Sequence, residues 1–184
     1  AACRTLLEAG ARVASLEEDP PLPMPDQPLD ERIAEQCRDL LTETQWSSHV
    51  RDDRRIQVDL EARGSHAHVT IAQCSDGLRF GLELVDGRDL SSICQTALSV
   101  FLLAATRALR LVRVRAGLLG ERQSVGLEAM ITAQLSTHEL DATLSGLATA
   151  YDVLGAETLA LRHDWLAQEY LATSGSAFVP SARA

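Results

Sequence analysis

The chain has 184 residues, 46% of them hydrophobic and 23% charged, with a formal net charge of −9. That length suits one domain burying roughly 70% of its unfolded surface, and the composition excludes collagen-like, wholly disordered and membrane-spanning classes, because no apolar run approaches the roughly 20 residues that cross a bilayer. The acidic balance opposes binding to a nucleic-acid backbone. All 17 basic residues are arginine, which removes lysine Schiff-base and P-loop chemistry.

Residues 1–19 carry Leu6, Leu7, Val13 and Leu16 in a polar background and read as a weak helix. Five prolines fall between positions 20 and 28, so residues 1–28 form a weak helix followed by a semi-rigid Pro-rich linker. A single α+β domain is expected over 29–173. It opens with a helix from Leu29 to about Thr44, on the spacing of Leu29, Ile33, Cys37, Leu40 and Leu41, with Asp26 or Asp30 as its N-terminal cap.

The pattern then switches to period two. Ile56, Val58 and Leu60, then Ala67, Val69 and Ile71, then Leu78, Phe80, Leu82 and Leu84 alternate with polar residues or glycine, giving three strands with one buried and one wet face each. The short glycine-bearing breaks at 62–65 and 75–77 favour a sequential antiparallel meander. A helix of about twenty residues is expected from Asp89 to roughly Arg110. Val112, Val114, Ala116 and Leu118 give a fourth strand, 120–124 a turn, and Val125, Leu127, Ala129 and Ile131 a fifth strand.

Ser136 and Glu139 have capping-box spacing. The apolar steps from Leu140 through Leu161 to Trp165 predict one long helix, or two split at Gly155, before a flexible tail at 174–184. The expected fold is therefore α+β, order α-β-β-β-α-β-β-α: a five-stranded antiparallel sheet covered by helices on one face.

That element order, with the size and acidity of the chain, resembles the class I type III secretion chaperones and the related YbjN-like family over about Leu29 to Leu171. The resemblance implies a small cytoplasmic bacterial homodimer that presents apolar sheet and helix surface to an extended client polypeptide. No residue role is carried over, because no short motif defines these families.

The middle helix is the most informative element. At about 100° per residue its apolar side chains cover roughly 200° of the circumference, where a helix packed on one side needs little more than about 100°. It is therefore covered twice: by its own sheet, and by either the C-terminal helix or a dimer or partner surface. Leu98, Leu102, Leu103 and Leu109, with Arg113 and Arg115 on the strand that follows, are the candidate interface residues.

His66 and His68 share one strand face. The expected register puts Asp59 and Glu83 beside His68 and Glu61 opposite His66, which reads as solvated cross-strand pairs, a pH-sensitive cluster or the start of a metal site. No nucleophile stands beside a base, no phosphate loop is present, and Ser136 next to His138 already has a capping role. Cys3, Cys37, Cys74 and Cys94 show no CxxC spacing and read as reduced thiols of a cytoplasmic protein. The start, AACRTLLEAG, lacks the apolar core of a secretory leader.

The resulting expectation is a non-enzymatic polypeptide-binding module without cofactor or metal. Its partners are a second copy and an unidentified client, with neither nucleic acid nor membrane. The alternatives are a YbjN-like regulatory domain of a larger protein, or a metal-dependent hydrolase or sensor built on His66 and His68.

Overall fold

The computed structural model describes residues 27–51, 54–62, 65–88, 90–106, 109–117, 124–132 and 135–176. The weak helix and most of the Pro-rich linker read from the sequence lie outside these residues, as do the 120–123 part of the expected turn and positions 177–184 of the expected tail.

At the start of the described residues the Gln27 backbone exchanges hydrogen bonds with Gln73 at 3.0 and 3.2 Å. Helix α1 (Glu31–Thr42) follows, with Asp30 as its cap: the carboxylate accepts from the Arg32 amide at 3.0 Å. Strand β1 (Ser48–Val50) was not expected. All three of its residues are exposed, and Ser-His-Val carries no alternation from which a strand could be read. Strands β2 (Ile56–Ala62), β3 (Ser65–Cys74) and β4 (Gly77–Asp86) form the antiparallel meander, closed by the tight pairs Ala62↔Ser65 and Cys74↔Gly77.

Helix α2 (Ser92–Ala105), strand β5 (Arg113–Gly117) and strand β6 (Ser124–Ile131) come next, then α3 (Thr137–Ala160) and α4 (Asp164–Ser176). The sheet has six strands in the order β1-β2-β3-β4-β6-β5, all pairs antiparallel. The α+β class and the helix-covered antiparallel sheet are as the sequence implies, with one strand more than the expected five.

Two helices differ from expectation. Helix α2 has 14 residues rather than about twenty, because the Ser91 hydroxyl accepts from the Cys94 amide and starts the helix after Asp89, while the Thr106 hydroxyl donates to the Leu103 carbonyl at its end. The last helix runs unbroken through Gly155, which packs against the Tyr151 ring, and breaks instead at 161–163. Leu161 turns inward and is buried, whereas Trp165, the next step of the apolar spacing, is 66% exposed. The expected tail begins inside α4, which stays helical to Ser176. Ser136 caps α3, accepting from the Glu139 amide at 3.3 Å, and Glu139 reaches back to the Ser136 hydroxyl rather than to its amide.

The main core lies between one face of the sheet and helices α1 and α3. Ile56, Leu60, Phe80 and Leu127 from the strands meet Leu140, Leu144 and Leu147 of α3 there, all essentially without solvent contact. A second core of Cys94, Ala97, Leu98, Leu161 and Ala167 joins α2 to α4, and Phe101 packs against both cores.

Candidate functional site

Helix α2 takes its principal cover from α4. Leu98 and Leu102 are 1% and 3% exposed within the single chain, and the Phe101 and Tyr170 rings meet edge to face with centroids 6.1 Å apart. Of the two covers considered for this helix, the C-terminal helix supplies one.

The two helices start side by side, tied by a shared carboxylate. Ser91 Oγ donates to Asp164 Oδ1 at 2.6 Å, and Cys94 Sγ donates to the same oxygen at 3.1 Å. The Ser91 and Cys94 hydrogen bonds hold the Asp164 carboxyl below its usual range, and burial pushes the Cys94 thiol up. A depressed carboxyl contributes stability that is complete above its unfolded pKa and disappears as pH falls through the folded one. Asp164→Ala should therefore lower the urea midpoint at pH 7 and make far less difference at pH 3. An equal loss at both pH values would show that the ionised clamp contributes nothing.

What remains open on α2 is an outer stripe at helical spacing, Thr96, Ser99, Val100, Leu103 and Ala104, with no charged side chain anywhere between Ser92 and Ala105. Leu103 is 69% exposed at its end, and Leu111, between α2 and β5, is 70% exposed. Leu109 is half-buried against the main core. Arg113 is exposed and Arg115 half-buried on β5, the edge of the sheet, whose ladder partner is β6. The six residues expected at an interface thus divide: Leu98 and Leu102 are covered by the chain itself, Leu109 in part, while Leu103, Arg113 and some of Arg115 face outward.

On the polar face of the sheet the expected register holds. Asp59 pairs with His68 and Glu61 with His66, with side chains 2.8 and 3.7 Å apart, and Glu83 stands level with His68 one step beyond the last β3–β4 pair. These are separate cross-strand pairs. Among the described residues no three His, Cys, Asp or Glu side chains gather where they could hold one metal ion.

A groove of about 730 Å³ crosses this face. Thr70, Gly81 and Gly126 lie along it, and among the described residues Arg51, Arg55, Arg79, Arg88, Arg115, His66, His68, Glu83 and Asp86 are the charged and histidine side chains that line it. Arg88 forks onto Asp86, and these hydrogen bonds hold its carboxyl down at about 2. One end of the groove is apolar, walled by Leu84, Tyr151 and Leu159.

The two glycines differ. At Gly126 an added Cβ would sit 2.4 Å from the Leu82 carbonyl oxygen, so the fold itself requires glycine; at Gly81 the nearest atom is 3.9 Å away. Glycine inside a strand costs roughly 0.5–1 kcal/mol relative to alanine, and nothing in the packing at Gly81 demands it. Sequence reading names Arg79, Gly81 and Glu83 only as the wet side of a strand. The signal for the groove was the mid-strand glycine.

No protein-family model matches the sequence, and no curated protein matches it. Among solved structures, a chain of the ExsC-ExsE complex is similar, with a TM-score of 0.43 and 16% identity over 71% of this chain and 96% of that one.

Proposed function

We propose that this chain is a non-enzymatic, cytoplasmic polypeptide-binding module that pairs as a homodimer and holds an extended segment of a client protein. The observation that carries this reading is the outer edge of the sheet. An edge strand presents a row of backbone N–H and C=O groups that a further strand can complete, and at β5 that edge is flanked by exposed Leu111 and Arg113. The uncharged outer stripe of α2 supports the dimer: burying the exposed part of Leu103, 69% of it, in both copies across a two-fold axis is worth about 2–4 kcal/mol of transfer free energy, before the cost of association. Among the described residues no helix is long and apolar enough to cross a membrane.

The test has two arms. Sedimentation of the native chain should give about twice its 19.9 kDa mass, and Leu103→Glu should give a folded monomer at micromolar concentration. Co-purification from the native host with mass spectrometry should recover a client that the Leu111→Glu/Arg113→Glu variant loses. A native monomer sinks the dimer, and a client retained by the double variant sinks the β5 edge.

A further inference from the structure

We propose that α4 is an exchangeable arm: in the homodimer the break at 161–163 straightens, α3 and α4 run on as one helix, and each copy lays its α4 on the α2 of the other. The exchange rests on the homodimer reading and specifies what the two copies trade.

Three observations converge. First, nothing in the break obliges the chain to turn there. Leu161, Arg162 and His163 include neither proline nor glycine. Among the described residues the left-handed φ values belong to Arg54 and Gly77, so the break lacks the αL residue with which helices commonly end. Leu161 has φ −69° and ψ 0°, only about 40° in ψ from a regular helical residue. Two tightened bonds hold the turn, from the Arg162 amide to the Leu159 carbonyl at 3.3 Å and from the His163 amide to the Ala160 carbonyl at 3.1 Å. A small rotation passes these amides to the carbonyls of Thr158 and Leu159, as in a continuous helix.

Second, the apolar spacing belongs to the straight form. Leu154, Thr158, Leu161 and Trp165 follow at alternating steps of four and three, one stripe of an unbroken helix, yet the break leaves Trp165 66% exposed. Straightening returns its ring to the stripe.

Third, α4 is attached through contacts that a second copy can reproduce. Among the described residues it packs on α2, through a small core of Ala167, Tyr170 and Leu171 against Cys94, Ala97, Leu98 and Phe101, and Ser91 and Cys94 donate to its Asp164. All of these meet across a three-residue hinge, the arrangement from which identical chains exchange an element at low cost. The exchange adds few contacts of its own and gains the helical bonds of the straightened hinge; the Leu103 stripe on the outer side of α2 brings the copies together. Paired α2 helices would stand about 8–10 Å apart, a span shorter than α4 itself, whose 13 residues make a rod about 20 Å long.

The experiment uses the full chain carrying Asp164→Cys, with Cys3→Ser and Cys74→Ser to limit other thiol pairings. Cys94 Sγ lies 3.1 Å from the Asp164 carboxylate oxygen, so the new thiol meets Cys94 wherever an α2–α4 contact is made. Oxidised glutathione at micromolar protein concentration should give a disulfide-linked dimer on a non-reducing gel, Cys94 of each copy being joined to the new thiol of the other. The hinge supplies a second measurement. Arg162 and His163 are both exposed, and Arg162→Ala/His163→Ala should dimerise at least tenfold more tightly in sedimentation equilibrium than Arg162→Gly/His163→Gly, because alanine favours and glycine opposes helix through the break.

A 19.9 kDa oxidation product, its disulfide closed within one chain, from a protein that sediments as a dimer overturns the exchange and leaves the homodimer reading standing. A protein that sediments as a monomer sinks both. Equal dissociation constants for the alanine and glycine pairs also overturn the exchange, since the hinge then takes no part in dimerisation, and that comparison decides the matter if Asp164→Cys does not fold.

Discussion

Phe80→Ala is expected to cost about 3–5 kcal/mol, the usual range for removing a fully buried aromatic ring. Phe80 has no solvent exposure and lies mid-sheet, between Ile71 on β3 and Ala129 on β6, in the cluster that includes Leu144 and Leu147. Neither neighbouring strand can collapse into the space, because each is fixed by its own ladder. At about 2–4 °C per kcal/mol for a chain of this size, the melting temperature should fall by roughly 6–20 °C. Differential scanning calorimetry checks it, and a fall of only 1–2 °C would mean that α3 closes over the cavity.

Gly77→Ala should be comparably severe for a different reason. Gly77 has φ +143°, which side-chain-bearing residues rarely adopt, and a Cβ there would lie 2.2 Å from the Ile131 carbonyl oxygen. Its other near neighbours are also backbone, so no rotamer change relieves the contact. Backbone strain of about 1–3 kcal/mol and overpacking of about 1–3 kcal/mol together predict a loss of about 2–6 kcal/mol. Gly81→Ala, four residues along the same strand, should be neutral or stabilising. Urea unfolding of both variants reads the contrast, and similar losses at the two sites would refute the steric distinction drawn between them.

The parts of this fold legible in the sequence are those in which burial alternates strictly. Ile56, Val58 and Leu60 are all fully buried, with the neighbouring Gln57, Asp59 and Glu61 less so, and that pattern together with the short break at 62–65 sets the β2–β3 register down to the Asp59–His68 pair. Strand β1 escaped because both of its faces are wet and it has no period to read. The break at 161–163 escaped because Leu161 and Trp165 keep helical spacing across it, although only Leu161 is buried. The groove left one mark in the sequence, the mid-strand Gly81, and its lining escaped because local pattern assigns arginines to a solvated face, while which of them share a groove depends on how the strands are ordered.

The tie between α2 and α4 means that the chain already carries a ligand for its own middle helix. A three-residue turn joins α4 to α3, so α4 meets α2 as an intramolecular partner, at an effective concentration in the millimolar range typical of short tethers. Any outside helix seeking the same Cys94–Ala97–Leu98 face has to outcompete that internal copy. A chain ended at Leu161 would lose the competitor, and a surface that is silent in the intact protein would then be open to the first apolar helix it meets.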